Sequence, residues 1–353
     1  MDIKVLVLVL VLVLEPQSLG LGLGLGEASL ESKPGYYRTF VGPQRRTDEG
    51  KCCESRYCNN VFHTVAVCLA VLTAVKSSVP TLTHVMRSQG GNKVYAVTSL
   101  DDDVFVMRHN SQQVEVYDAM TFRFHRHIAV PGLCSSTYGM TACAKHMCLY
   151  LSDSDKDSSV HRVELSGSNA VKKWSVAKGP IGLSVNVAHN LVVACRDANK
   201  IQEYTTHGSL VREICLQAGV TNPWHAIQLS TGDYVVSQCT SPGVVSVVGV
   251  GGQVVHSYWQ SETSHVGQMK CPASLAVTKN NNILVADQNN NRILSVNRST
   301  DCVQELTLSV DGGIQRPCVL CLDESRGRLY VGEWGEWPLS TRCRVLVFDG
   351  VRL

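Results

Sequence analysis

The feature that most constrains this chain is a pattern that recurs six times, at intervals of 42 to 49 residues. Each copy has a short apolar run, a polar turn and a second apolar run, which together predict a β-hairpin. The hairpins begin near residues 104, 149, 191, 234, 283 and 329. Because a single unit of this size cannot bury both of its faces, the recurrence predicts a repeat architecture in which neighbouring units stack.

Each copy holds enough residues for four short strands. A proline precedes four of the hairpins by 11 or 12 residues, and the interval between them reads as one more strand and turn. The prolines are Pro180, Pro223, Pro272 and Pro317. A further strand follows each of the first five hairpins, as in LVREICL at 210–216. Four short antiparallel strands per period are typical of a β-propeller blade. We therefore predict an all-β fold, a six-bladed β-propeller over residues 81–353.

The sixth copy ends after three strands and lacks a fourth. An unpaired strand edge favours association with other chains, so closed propellers leave only short edges. The segment TLTHVMRS at 81–88 precedes the first blade and has the composition of a strand. We expect it to complete the sixth blade and to close the ring.

The repetitive composition of residues 1–80 predicts a separate low-complexity region that is partly disordered and contains short apolar stretches. The run VLVLVLVLVL at 5–14 is too short to span a bilayer, which makes a membrane protein an unfavoured interpretation. Two interpretations stay open. We favour a cytoplasmic protein, and the alternative is a secreted one in which residues 1–20 act as a signal peptide.

The charge and cysteine content of the chain limits the classes of partner and the cellular environment that we expect for it. Residues 92–353 carry 23 basic and 23 acidic side chains, so this part of the chain has no overall field that would attract DNA. The 15 cysteines are scattered, and most lie inside apolar runs. Such cysteines are commonly small buried hydrophobes, which favours reduced thiols over a disulfide network.

The hairpin ILVADQNNNRILSVN at 283–297, preceded by CPASLAVTKNNN, resembles an NHL repeat. Asp287, Asn291, Arg292 and Ile293 match the motif, and we interpret them as structural residues. Weaker copies follow the same plan in other blades, so the resemblance extends over about 270 residues. It implies an NHL-type six-bladed propeller.

The region is also similar to the C-terminal propellers of tripartite-motif NHL proteins, many of which are ubiquitin ligases. In that family the propeller selects the partner, while zinc modules and a coiled coil catalyse and assemble. No RING-like series of paired Cys and His occurs in this chain. The resemblance therefore implies substrate recognition in a ubiquitin-ligase-like pathway, and it does not extend to the zinc modules that catalyse.

In a propeller, the connections between blades and the middle hairpin turns share one rim. Exposed Trp and Arg are frequent interface anchors, so this rim is the predicted surface for a protein partner of a monomeric propeller. The predicted rim residues are Arg108, Arg196, Lys200, Trp224, His225, Asn290, Arg292, Trp334 and Trp337. Single-stranded RNA is the alternative partner, with Arg108, Arg196, Lys200 and Arg292 as its basic patch.

Signals for chemistry are weak. Asp153, Asp155, Asp157 and Glu164 fall at positions 1, 3, 5 and 12 of a calcium loop, but Ser158 stands where such a loop needs glycine. We interpret these residues as a hairpin turn. The predicted innermost strands hold few carboxylates, so we expect no cofactor and no catalytic residues. A second alternative stays open: a secreted propeller with metal-dependent hydrolase or lyase activity.

Overall fold

We describe the protein from a computed structural model, which covers residues 79–351 except for 88–91, 135–136, 156, 168, 259–265 and 336–342. Residues 1–78 of the predicted N-terminal region 1–80 lie outside the described residues, as does Trp337. Nearly all regular structure in the described part is β-strand, with a single 3-10 turn at Gln288–Asn290. No helix within these ranges is long and apolar enough to cross a membrane.

The 24 strands form six four-stranded antiparallel sheets, which confirms the predicted six-bladed β-propeller. Blades 1 to 5 are each built from four consecutive strands. Their bounds are β2 Val94–Leu100, β3 Asp103–Arg108, β4 Gln113–Asp118, β5 Phe124–Ala129; β6 Met140–Cys143, β7 Cys148–Asp153, β8 Ser159–Glu164, β9 Val171–Ser175; β10 Pro180–Val185, β11 Leu191–Cys195, β12 Lys200–Tyr204, β13 Leu210–Cys215; β14 Pro223–Gln228, β15 Tyr234–Gln238, β16 Val244–Val248, β17 Val254–Tyr258; and β18 Pro272–Val277, β19 Ile283–Asp287, β20 Arg292–Asn297, β21 Cys302–Glu305.

The sixth blade combines the two ends of the described chain. Strands β22 Pro317–Asp323, β23 Arg328–Glu333 and β24 Arg344–Asp349 are followed in the sheet by β1 Thr81–Arg87. Strand β1 pairs antiparallel with β24, with Thr81 opposite Asp349 and Arg87 opposite Arg344. The segment singled out in the sequence therefore occupies the outer edge of the last blade.

The hydrophobic core lies between blades. Six clusters of buried apolar residues each join two neighbouring blades, for example Val116 of blade 1 with Leu151 of blade 2. All five residues of β11 are buried, because this inner strand is covered on both faces. The outermost strand β13 is exposed at five of its six positions. This gradient explains why the middle strands read as unbroken apolar runs and the outer strands do not.

Most of the buried cysteines behave as predicted, as small apolar residues. Cys143, Cys148 and Cys195 lie in one core cluster, and burial raises the pKa of the Cys195 thiol to about 12. One pair departs from the prediction of reduced thiols: Cys239 and Cys271 form a disulfide. Their loops are held together because the Cys271 N–H donates to the Thr240 carbonyl over 2.9 Å.

Candidate functional site

The middle hairpin turns and the blade-to-blade connections meet on one side of the ring, which we call the upper face. Backbone hydrogen bonds join each turn to the connection of its own blade. His109 N–H donates to the Lys93 carbonyl over 2.9 Å, and Trp334 N–H donates to the Arg316 carbonyl over 3.3 Å. The innermost strands start at this face, so the turns surround the mouth of the central channel.

Five aromatic side chains form a connected series around part of that mouth, which we call the aromatic arc. Tyr95 lies at its centre, with ring centroids 4.9 Å from Tyr138, 5.5 Å from Trp334 and 4.8 Å from His109. Tyr138 in turn contacts Trp224 edge to face at 6.1 Å. All five are half-buried, so part of each side chain is open to solvent. The structure thus brings together two predicted rim tryptophans with three residues that sequence reasoning missed.

A pattern in the sequence identifies Tyr95 and Tyr138 as members of the arc. Tyr95 is the second residue of β2, Trp224 is the second residue of β14, and Tyr138 lies two residues before β6. Aromatic residues therefore recur where innermost strands begin, in blades 1, 2 and 4. Burial raises the pKa of the Tyr95 phenol, so this hydroxyl stays protonated and acts as a neutral hydrogen-bonding group.

The four basic residues of the predicted RNA patch are not free cations. Each is paired with an acid: Arg108 with Glu115 at 2.8 Å, Arg196 with Asp197 at 2.8 Å, Lys200 with Glu213 at 2.6 Å, and Arg292 with Asp287 at 2.8 Å. These pairs form within a blade or between adjacent residues, so nearby acids neutralise the charges locally. Arg108 is also buried, with 3% of its side chain exposed. The predicted positive patch is therefore corrected to a set of closed ion pairs.

In blade 5 the ion pair is part of a larger network. The buried Asp287 carboxylate accepts hydrogen bonds from Lys270 N–H at 2.7 Å, Asn290 Nδ2 at 2.8 Å and Arg292 Nε at 2.8 Å. Arg292 also donates to the Val266 carbonyl. These contacts fix the hairpin turn to the connection from blade 4. Asn290 and Arg292 are thus held in the fold, where the sequence had placed them on a binding rim.

The other residues of the motif have structural surroundings as well. Asn291 adopts the left-handed conformation with φ 57°, and its side-chain oxygen accepts the Arg316 N–H over 2.8 Å. Ile293 is buried between blades 5 and 6. The turn thus also contacts the connection into the next blade.

The same connection to the incoming chain recurs in two other blades, with different side chains. Glu333 Oε1 accepts the Gln315 N–H over 2.7 Å, and Gln238 Oε1 accepts the Thr221 N–H over 2.8 Å. In blades 4, 5 and 6 the donor lies two residues before the proline that starts the innermost strand. In these three blades an acceptor at the end of the second strand thus anchors the incoming chain, whether or not the NHL motif is kept.

His225 lies in the wall of the channel, not on the rim. Its Nε2 donates to the Leu183 carbonyl over 3.1 Å, and its Nδ1 accepts the Leu275 N–H over 3.0 Å. The ring therefore joins the innermost strands of blades 3, 4 and 5 as a neutral imidazole. Burial lowers the pKa of His225 to about 4. A Cβ on Gly182 would lie 2.7 Å from the His225 Cα, so this glycine leaves the space that the histidine occupies.

Two cations on the upper face, both overlooked in the sequence, differ from the paired ones. Lys93 Nζ lies 5.5 Å from the centre of the Trp334 ring, and Arg316 Cζ lies 5.8 Å from it. Among the described residues, neither cation has a carboxylate within ion-pair distance. The blade 6–1 side of the mouth therefore carries charge that no described carboxylate compensates.

The candidate calcium ligands do not converge. The Asp153 carboxylate is buried and accepts hydrogen bonds from Cys134 Sγ at 2.6 Å and His161 Nε2 at 3.2 Å. Glu164 pairs with Arg162 at the far end of β8, roughly 15 Å along the strand. Asp155 and Asp157 are exposed in the turn between. Within the described ranges no group of three or more potential metal ligands occurs.

The central channel gives the enzymatic alternative little chemistry. A cavity of about 270 Å³ follows it, with walls of small apolar and hydroxyl side chains from the innermost strands. Its described lining includes no carboxylate, and its one histidine is His225, whose two nitrogens are both engaged. The arrangement can stack and hydrogen-bond a ligand at its mouth, but it offers no acid–base pair inside.

Comparison with known proteins bears on the repeat itself. The family model of the NHL repeat matches residues 269–294, which span the Asp287 network. The fifth blade of this six-bladed β-propeller therefore carries an NHL repeat. No curated protein sequence matches the chain.

Solved structures share the fold at low sequence identity. Virginiamycin B lyase from Staphylococcus aureus is 13% identical, with a TM-score of 0.53 over 72% of this chain and 83% of that one. Hydrazine synthase from Kuenenia stuttgartiensis is 13% identical, with a TM-score of 0.53 over 76% and 99%. A protein of unknown function from Bacteroides caccae is 16% identical, with a TM-score of 0.56 over 70% and 89%. At this identity the likeness shows the fold alone.

Proposed function

We propose that this NHL-type propeller is a non-catalytic protein-interaction module, and that its upper face binds the partner through the aromatic arc. The observation that carries the proposal is the arc itself, five half-buried aromatic side chains in continuous contact around the channel mouth. Such rings offer large apolar area with polar edges, which is the composition of binding hot spots.

Three cation–π contacts strengthen this surface as an anchor. Arg196 Cζ lies 5.9 Å from the centre of the Trp224 ring, and Lys93 and Arg316 flank Trp334. Arginine and tryptophan together are enriched at interface hot spots, because the aromatic ring orders the long cationic side chain before binding. The surface thus needs little rearrangement to receive a partner, which lowers the entropic cost of association.

RNA is the weaker alternative for this face. Binding of single strands needs a basic groove that follows the phosphate backbone, together with aromatic rings for the bases. The rings are present, but Arg108, Arg196, Lys200 and Arg292 are neutralised by neighbouring acids. A continuous track of free cations is missing from the described part of the rim.

The resemblance to tripartite-motif NHL proteins supports a role in which the propeller selects a protein for a ubiquitin ligase in the cytoplasm. We extend the proposal to that role because the chain provides a recognition surface and no catalytic constellation among its described residues. The lyase and hydrazine synthase that share the fold favour an enzymatic function only by analogy. The described lining of the channel holds no carboxylate, and its one histidine has both nitrogens engaged, so it does not supply the acid–base groups that such an analogy would need.

A photo-crosslinking experiment tests the proposal. A benzophenone amino acid replaces Tyr138 on the upper face of the full chain, and in a control it replaces Met147, which is 38% exposed in a turn on the opposite face. We expect the Tyr138 variant to capture a discrete protein in cell extract, before and after ribonuclease treatment, and the Met147 variant not to capture it. Competition by unlabelled wild-type chain but not by its Trp224→Ala variant would assign the contact to the arc.

Two results would overturn the proposal. Capture that disappears after ribonuclease treatment would replace the protein partner with RNA. Equal capture from Tyr138 and Met147 would show that the upper face is not the binding surface.

A further inference from the structure

The strongest unexplained feature is a group of hydrogen-bond donors without acceptors beside the aromatic arc. Trp334 Nε1, Arg316 Nε and Arg108 Nη2 are buried, and each lacks a hydrogen-bond partner. Arg108 is the most buried of the three residues, with 3% of its side chain exposed. Its Nε donates to Glu115 and its Nη1 donates to the Asn92 carbonyl, so only Nη2 is left without an acceptor. Buried donors without acceptors are rare in native proteins, and each calls for an explanation such as a missing ligand.

The donors lie in a region of positive charge. Lys93 and Arg316 both contact the Trp334 ring, and His109 follows Arg108 in the chain. Burial, and then the charge of Lys93, lowers the pKa of His109, so the histidine stays neutral beside the ammonium group. The nearby acids are already engaged: Glu115 with Arg108, and Glu333 with Arg344 at 2.6 Å. The charges of Lys93 and Arg316 therefore remain available to a ligand.

A second tryptophan in the same molecule provides an internal comparison. Arg196 lies over Trp224 at 5.9 Å, which is nearly the arrangement of Arg316 over Trp334 at 5.8 Å. Arg196, however, is paired with Asp197 over 2.8 Å. At Trp224 the protein supplies the carboxylate itself, whereas at Trp334 no described residue does so.

We propose that Lys93, Arg316 and Trp334, backed by Arg108, form a pocket that binds a side-chain carboxylate of an acidic partner segment. We call it the carboxylate pocket. A carboxylate has two acceptor oxygens and one charge, which suits the unpaired N–H groups and the two free cations. An aromatic residue beside the acid would meet Tyr95 and Tyr138. This inference rests on the proposed function and names the chemistry of the partner.

The surroundings favour a carboxylate over nucleic-acid phosphate. A backbone phosphodiester and a carboxylate each carry one negative charge, so the number of free cations along the rim is what separates the two ligands. Nucleic acid would need further free cations there, and the basic residues predicted on the rim are paired. An acidic peptide needs only the one local pocket and the aromatic surface next to it.

The test measures binding of three probes to the full chain by isothermal titration calorimetry at two salt concentrations. The probes are the capped peptide GEEYEEG, its matched analogue GQQYQQG, and octauridylate. We expect the Glu peptide to bind at least about tenfold more tightly than the Gln peptide at low salt, with the difference shrinking as salt screens the charges. Octauridylate should bind no more tightly than the Gln peptide.

Variants then assign the effect to the pocket. Lys93→Gln and Arg316→Gln should each reduce the preference for the Glu peptide by about threefold to tenfold, and the double variant should remove it. Arg196→Gln is the matched control, because it removes a cation over a tryptophan whose charge is already paired. Its preference for the Glu peptide should stay at the wild-type value. Far-ultraviolet circular dichroism of each variant establishes that the fold is retained.

The outcomes separate the inference from the proposed function. Equal binding of the two peptides, with loss of both in Trp224→Ala, would overturn the carboxylate pocket and leave the upper face as a peptide-binding surface. A Glu preference that Arg196→Gln weakens as much as Arg316→Gln would also overturn the pocket. Tight binding of octauridylate alone would overturn both proposals.

Discussion

The two sides of the channel mouth carry similar residues but differ in whether their polar and charged groups have partners. On the blade 4–5 side, Asp287 accepts three hydrogen bonds and pairs with Arg292, and His225 has both nitrogens engaged. On the blade 6–1 side, Arg316 and Lys93 have no acid partner among the described residues, and Trp334 has a free N–H. Residue type alone therefore does not identify a binding site, because the same kinds of side chain are paired on one side of the mouth and unpaired on the other.

What separates the two sides is the distance to the nearest acid. Blade 5 supplies one from the end of β19, directly across the hairpin from Arg292. Blade 6 has the equivalent acid, Glu333, but Arg344 of the same hairpin takes it. Arg316 lies on the connection and receives no carboxylate. We call the blade 4–5 side, where the charges are paired, the closed side, and the blade 6–1 side the open side. We expect substitutions on the closed side to lower stability, and substitutions on the open side to lower binding.

The largest effect should come from Asp287→Ala. The change removes the buried acceptor for three donors and leaves the half-buried Arg292 without its acid partner. Breaking a buried ion pair from one side typically costs about 3–5 kcal/mol of unfolding free energy. Urea unfolding of the full chain measures it.

Asp197→Ala is the control for that prediction, because its ion pair with Arg196 lies at the surface. The exposed fractions of the two side chains are 34% for Arg196 and 37% for Asp197. Surface pairs contribute about 0–1 kcal/mol. Equal losses for the two variants would show that the blade 5 network has no special structural role.

The second effect is a dependence of stability on pH. His225 has a pKa of about 4 in the folded protein and about 6.5 when unfolded. Between these values the unfolded chain binds the extra proton, so the unfolding free energy falls as pH decreases from 6.5 to 4, by roughly 3 kcal/mol from this group. Urea unfolding across this range should show the decline, and His225→Gln should reduce its slope.

Nuclear magnetic resonance gives the independent check on His225. The imidazole should remain neutral down to about pH 5, with the proton on Nε2. A titration of this ring near pH 6.5 in the folded protein would contradict its placement in the channel wall.

The third effect is steric. Gly182→Ala would place a Cβ 2.5 Å from the Trp224 carbonyl oxygen and 2.7 Å from the His225 Cα, so backbone must shift. Overpacking of this kind typically costs about 1–3 kcal/mol. Gly251→Ala is the matched control, because its nearest atom, at 2.8 Å, is the end of the flexible Gln253 side chain. Thermal unfolding of both variants compares them, and equal melting temperatures would contradict the close packing.

The smallest effect on stability should come from the open side. Lys93→Gln and Arg316→Gln remove cations that have no acid partner, so each should change the unfolding free energy by no more than about 0.5 kcal/mol. Urea unfolding measures this change, and calorimetry on the same samples measures the loss of acidic-peptide binding. A loss of more than about 1 kcal/mol for either variant, the upper limit expected for the Asp197→Ala control, would make that cation a structural residue.

Much of the architecture was readable because it is local. The hairpins follow from apolar runs and turns that lie within one period of about 45 residues. The charge pairs were less readable. Lys200 and Glu213 belong to adjacent strands and meet only once the register of β12 and β13 is known. The predicted basic patch failed because counting cations along a sequence ignores the acids on the neighbouring strand.

The sequence by itself determined the number of blades, the strand order and the position of the NHL motif, because hairpin formation depends on neighbouring residues. Only the tertiary structure decided which side of the mouth is open. Lys93 and Arg316 are more than two hundred residues apart and share the Trp334 ring because β1 closes the circle. A contact that exists only after ring closure leaves no local pattern in the chain, and the candidate binding site of this protein is made of such contacts.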